Sequence, residues 1–389
     1  MDLSNTDKQE KREHFEKLNA AFYQKQKKGM CMFCDCKSKS IGSHSISKNY
    51  YLKKIADHGE VDTLSSKREG CRKELIWERI GINRASVFMG YCKKHDDMFN
   101  HIDVNGIITV KDLLLQCYRS ICFWYKNEMV ASEILGAVQK DVDDTTRDVV
   151  QRMMPFFDYD QFRFGEDYQK NKFDLVGALQ ILKEYFENLI IKIEGKAALN
   201  ERLHNSTYFF DGVEIMHIRV DEKIPVVLNS MNHVSQGEIF HIVLPNDSST
   251  DLICVDATHG KIRFDEAWEA RTQNMLNVIS LVESWMIGEE TWYIAPYVID
   301  RLSEERLTVI SDDIRYSQCE RALWQPYDVS IFDDLRMKYL NIYREQNILP
   351  PDREKKEMER FMIPKRDSKD QRENNLNEAI IKQQMLSTF

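Results

Sequence analysis

Hydrophobic and polar positions follow different periods in successive parts of the chain. Near residues 7–28, Phe15, Leu18 and Phe22 recur at helical spacing among lysines and glutamates, which predicts a solvated amphipathic helix stopped by Gly29. The segment SIGSHSIS, with Ile41 and Ile46 as its larger apolar members, alternates as a short strand does. KNYYLKKIADHGEV then predicts a short helix ending near Gly59, ASVFMGY at 85–91 a second strand, and CKKHDDMFNHI the opening of a helix. From about 109 to 200 the period is helical. Leu114, Cys117, Ile121, Trp124 and Tyr125 make one broad apolar face, and a second helix runs through DLVGALQILKEYFENLIIKI. Cys117 and Cys122 fall on or near that face and are expected in the core.

Around 206–258 the period becomes that of strands. STYFFDGVEIMHIRV, IPVVLNS, GEIFHIVLP and TDLICVDAT alternate, with turn residues such as Asp211-Gly212 and Asn246-Asp247 between them. Helices return in FDEAWEARTQNMLNVISLVESWMIG and PYVIDRLSEERLTVISDDIR, the second with Pro296 in its first turn. Beyond about 345 the chain is a mixed-charge tail, expected as a linker plus a weak helix. The fold class is therefore α+β. Five regions are expected: an N-terminal helix (1–30), a metal-binding module (31–105), a helical region (106–200), an α+β domain with a mainly antiparallel sheet (201–345) and a charged tail (346–389).

Composition narrows the class. A chain of 389 residues with 42% hydrophobic content predicts two or three globular domains. No apolar run is long enough for a membrane span, and the charged N-terminus has no apolar signal-like core. Nine cysteines, an odd number unevenly spaced, suit reduced thiols in a cytoplasmic protein, some of them metal ligands. The net charge of −9 is asymmetric: residues 1–105 hold 20 Lys+Arg and 15 Asp+Glu, a net of +5, and the remainder is acidic. Such a basic module can meet a polyanion, although the same charges also serve solubility. The acidic C-terminal part is the place expected for a protein partner.

Candidate chemistry concentrates in GMCMFCDCKSKS and GYCKKHD. Zinc takes four tetrahedral thiolate or imidazole ligands, usually as two close pairs, and two intervening residues let one turn aim both side chains at one point. Cys31/Cys34 and Cys92/His95 are two such pairs, the first in a turn and the second where a strand meets a helix. They predict one structural zinc ion in a treble-clef arrangement. Cys36 is the alternative to Cys34, and Cys71 stays unassigned.

The order of knuckle, His-bearing strand, then strand leading into a helix resembles the HNH, or ββα-metal, endonucleases over residues 29–105. In that family zinc is scaffold, a strand histidine is general base on water, and a separate divalent ion stabilises the phosphorane. The resemblance implies that His44, in Ser43-His44-Ser45-Ile46-Ser47, is the base, and that Asp96, directly after His95, is a ligand for a catalytic Mg2+ or Mn2+. Ser43 stands where the family often has an acidic metal ligand, and Asn83 is the only nearby candidate for its mid-motif asparagine. Asp57-His58 is a rival acid–histidine pair. His44 packing on the module, and Asp96 meeting the helix dipole, are the structural alternatives.

The function implied is a zinc-stabilised, divalent-metal-dependent nuclease acting on nucleic acid, with bacterial anti-phage defence as a family-level setting. A non-catalytic treble-clef protein that binds nucleic acid or another protein is the alternative. The strand-rich region offers no comparable constellation: His217, His233, His241 and His259 are scattered, Asp256 and His259 form a loose pair, and Glu283, Trp285 and Trp292 suit packing.

Overall fold

The computed structural model describes residues 29–69, 72–140, 164–193, 200–210, 212–234, 237–258, 264–288, 291–316, 326–369, 371–372 and 375. The helix expected before Gly29, Cys71, Asp211, His259 and the end of the charged tail lie outside these residues.

Two compact units divide the chain, one of residues 1–50, 66–74 and 83–203, the other of 51–65, 75–82 and 204–389. The division is interleaved, so the stretch 31–105 that the cysteine pairs mark out is shared between both units.

In the first unit, β1 (Gly42–His44) pairs antiparallel with β4 (Val87–Met89), with Ser43 opposite Phe88. Helix α2 (Lys93–Asp96) follows, then a 3-10 turn over Asp97–Phe99 and α3 (Asn100–Asn105), which ends at Gly106 with φ of 72°. Two long helices, α4 (Val110–Lys140) and α5 (Phe164–Ile193), pack together as their apolar faces predict. Cys117 and Cys122 are fully buried there, as expected. Tyr118 reaches across to donate to Glu187 at 2.5 Å, and Lys183 pairs with the same carboxylate at 2.8 Å. Tyr91 stands between Phe99 (5.0 Å between ring centroids) and Tyr118 (6.0 Å), so one aromatic cluster fixes the end of β4 and the helical run on α4.

The second unit is built on an eight-stranded sheet of order β3-β2-β10-β7-β8-β9-β6-β5. Its strands are β2 (Glu60–Glu69), β3 (Arg72–Gly81), β5 (Ser206–Phe210), β6 (Val213–Val220), β7 (Val226–Val234), β8 (Gly237–Pro245), β9 (Thr250–Asp256) and β10 (Trp292–Ile294). From β5 to β10 the pairings are antiparallel, as the alternating pattern of 206–258 predicts. β9 is buried along its whole length, whereas β5 at the sheet edge leaves Phe209 71% exposed. β2 enters through β10, with Asp62 opposite Ile294, and Thr63 donates to the Trp292 carbonyl at 2.7 Å.

Helices α6 (Phe264–Thr272), α7 (Met275–Gly288), α8 (Pro296–Ile299), α9 (Glu304–Arg315), α10 (Asp333–Glu345) and α11 (Pro351–Glu359) complete this unit, after the short α1 (Lys53–Ile55). Pro296 sits in the first turn of α8, but Ser303 caps a new helix, so the single helix predicted over 296–315 is two. α7 is apolar nearly all round and buried from Leu276 to Ile287 apart from Asn277. Its fully buried Glu283 pairs with Arg336, which also meets Glu357. No helix among the described residues is long and apolar enough to cross a membrane.

Candidate metal centre

The segment after Gly29 closes on itself. Met30 bridges Lys39, Cys31 N–H donates to the Ser38 carbonyl at 2.8 Å, and Cys36 N–H donates to Phe33 at 3.2 Å. The last bond makes Phe33-Cys34-Asp35-Cys36 a tight turn, with Asp35 in the left-handed region at φ of 55°. Cys34 therefore occupies a corner of the turn and is exposed, while Cys36 is returned toward Cys31.

Two backbone bonds hold this knuckle against the end of β4: Met32 N–H to the Gly90 carbonyl at 2.8 Å and Ile41 N–H to Tyr91 at 2.7 Å. Gly90 is required, since a Cβ there would lie 2.4 Å from the Phe88 ring, itself packed edge-on against Tyr91 and Phe123. Cys92 then caps α2 in an extended conformation, its carbonyl accepting from His95 and Asp96 N–H at 3.0 and 2.8 Å. One helical turn brings His95 back beside Cys92.

Cys31, Cys36, Cys92 and His95 present ligand atoms that all lie within 4.8 Å of one another. Cys36 Sγ is 3.8 Å from Cys92 Sγ, and His95 Nδ1 is 3.2 Å from Cys31 Sγ and 3.5 Å from Cys92 Sγ. Tetrahedral zinc with ordinary bond lengths sets thiolates about 3.8 Å apart, and a thiolate about 3.6 Å from an imidazole nitrogen. A disulfide would need about 2 Å between sulfurs. The donor set thus fits zinc in chemistry and in size. Cys36, the alternative to Cys34, joins this group, and the turn leaves Cys34 exposed. Phe33 stacks on the His95 ring at 4.4 Å and orients it.

Burial pushes the Cys31 thiol up to about 11, so in the metal-free protein it keeps its proton at neutral pH. The Cys36 thiol is lowered, chiefly by a backbone hydrogen bond from Ser38, and burial lowers His95. A metal bound by such a group would displace protons from its thiols.

His44 stands at the end of β1. Its Nδ1 lies 2.9 Å from the Ala85 carbonyl, which can only accept, so Nδ1 carries the proton and Nε2 presents its lone pair. Burial lowers the His44 pKa, the Ala85 bond opposes this, and Arg119 and Lys48 lower it further. Arg119 is itself buried, paired with Asp103 at 2.8 Å and seated on the Phe99 ring. Both residues act electrostatically on His44, and sequence reasoning passed over both.

Asp96 lies in the first turn of α2 with Oδ1 buried and without a partner. It is not gathered with further ligating side chains: beyond the Cys31–Cys36–Cys92–His95 cluster, no second group of three or more such side chains comes together among the described residues. Ser43 is buried, its hydroxyl also without a partner. Asn83 accepts from Lys48 at 3.1 Å on the surface, and Asp57-His58 forms an exposed turn with His58 at φ of 48°. Comparison with models of known families, with curated proteins and with solved structures finds no match for this chain.

Proposed function

We propose that residues 29–105 include a zinc-stabilised treble-clef module of the HNH type, and that His44 is its general base in hydrolysing a phosphodiester of nucleic acid. Knuckle, β1–β4 pair and helix follow one another in the order such a module needs, with ligands at both ends. Zinc held by Cys31, Cys36, Cys92 and His95 supplies scaffolding, tying the knuckle to the helix start.

The observation that carries the catalytic reading is the His44–Ala85 bond. A base needs a fixed ring, the right tautomer and a pKa below the working pH, and His44 has all three. Its Nε2 takes a proton from water as the water oxygen attacks phosphorus and the bond to the leaving oxygen breaks. The net positive charge of residues 1–105 supports a polyanionic substrate. The acidic remainder suits regulation or a protein partner, and anti-phage defence rests on family analogy alone.

The non-catalytic reading keeps one specific observation in its favour. Asp96 and Ser43 do not join a second ligand group, which suits a module that binds nucleic acid or protein without cutting. Full-length protein incubated with labelled DNA and RNA, in Mg2+ and in Mn2+, separates the two. The nuclease reading expects cleavage by wild type and none by His44→Ala at unchanged zinc content. Absence of cleavage by wild type under every condition contradicts it.

A further inference from the structure

The chain that leaves β1 beyond His44 is tied to its surroundings through its backbone. Ser45 N–H donates to the Ser86 carbonyl at 2.8 Å, and the Ser45 carbonyl accepts from the Gln116 amide of α4 at 3.0 Å. The Ile46 carbonyl accepts from the Ser86 hydroxyl at 3.1 Å. Lys48 closes the far end of the segment by donating to Asn83 at 3.1 Å. Two of these ties come from one residue, Ser86, which ends the turn over 82–86 before β4. Ser45, Ile46, Ala85 and Ser86 are all buried, so water does not compete for the bonds they make.

Ser86 has a positive φ of 57°. Left-handed backbone is costly for a residue with a Cβ, whereas glycine adopts it freely. Such strain persists where the surroundings over-determine it, and it clusters at functional sites. Here the Ala85 carbonyl, just before the bend, faces the His44 ring, while the carbonyl of Ser86 itself faces Ser45 N–H. Ser86 Oγ lies 3.4 Å from His44 Nδ1. A serine hydroxyl has one hydrogen, and this one is given to the Ile46 carbonyl. Toward Nδ1 the oxygen can then only accept. Two acceptors, the Ala85 carbonyl and Ser86 Oγ, thus stand at Nδ1, and neither supplies a hydrogen.

We propose that Ser86 is the positioning residue of His44. Its left-handed turn and its hydroxyl together hold the ring with Nδ1 protonated and Nε2 open, and they lock the strand exit that carries the ring. Glycine would relieve the backbone but lose the hydroxyl, so serine at a φ that favours glycine marks the hydroxyl as the feature in use. Ser86 acts through His44 and touches no reacting atom. Its place in catalysis rests on the reading of His44 as general base, whereas its hold on the ring does not.

Nitrogen NMR of the full-length protein, isotope-labelled in its histidine rings, tests this, with the His44 signals identified by their loss in His44→Gln. At about pH 7.5, above the ordinary histidine value, wild type is expected to show His44 protonated at Nδ1 and bare at Nε2. Ser86→Ala and Ser86→Gly both remove the hydroxyl, and Ser86→Gly also relieves the φ, so a folded variant remains to be measured. In both, the share of ring protonated at Nε2 should rise about fivefold or more, as loss of one ordinary hydrogen bond allows. Cleavage by both should show kcat lowered about fivefold or more and KM within about twofold of wild type. Wild type that does not cleave, with ring signals as expected, removes the nuclease reading and leaves this one standing. A wild-type ring protonated at Nε2, signals unchanged in both variants, or a loss in Ser86→Ala that Ser86→Gly restores overturns the proposal.

Discussion

His44 Nδ1 lies 2.9 Å from the Ala85 carbonyl, and this bond sets which ring nitrogen is free to act. Because burial depresses the His44 pKa, the neutral ring persists below pH 6.5, the ordinary histidine value. Cleavage plotted against pH should therefore stay on its plateau through neutrality and fall only as pH drops through a value below 6.5. Stability should follow the same sign, complete above the unfolded histidine pKa and partly lost as pH falls through the folded one. An acid limb above 6.5 would show that His44 is not the titrating base.

Arg336 is fully buried between Glu283 and Glu357, and Glu283 also accepts from Ile331 N–H at 2.8 Å. Arg336→Ala should destabilise the protein by about 3–5 kcal/mol, because two carboxylates remain buried without their cation. Urea denaturation checks this. A loss under about 1 kcal/mol would mean that water reaches the carboxylates.

Gly90→Ala should cost about 1–3 kcal/mol through overpacking, since the added Cβ meets a Phe88 ring that Tyr91 and Phe123 hold in place. The local readout is faster proteolysis near the knuckle and β4, and unchanged protection there would show that Phe88 swings aside freely.

Nucleic-acid binding by the full chain should weaken steeply with salt, because phosphate contacts from Lys and Arg release counterions. Affinity measured by fluorescence anisotropy from about 50 to 200 mM salt should fall by roughly tenfold or more for a few such contacts. A flat dependence would point to a protein partner.

The grouping of Cys31, Cys92 and His95 was legible because side chains with two residues between them, at a turn and at a strand-to-helix junction, can be aimed at one point. The choice between Cys34 and Cys36 was not, since it depends on Asp35 taking a positive φ, and one rotated turn exchanges the inward and outward thiols. The strands from Ser206 to Asp256 and the helices through Leu114 and Leu179 followed from period alone. The β2–β3 ribbon did not. Its sequence is charged, and its place in the sheet rests on a contact as remote as Asp62 with Ile294. Burial of Glu283 and Trp285 agreed with a packing role.

Zinc content of wild type, Cys36→Ser and Cys34→Ser, measured by elemental analysis on full-length protein, tests the metal centre most directly. One zinc per chain is expected in wild type and in Cys34→Ser, because Cys34 points to solvent, and a large loss is expected in Cys36→Ser. Wild type without zinc, or zinc lost from Cys34→Ser and kept in Cys36→Ser, would contradict the account.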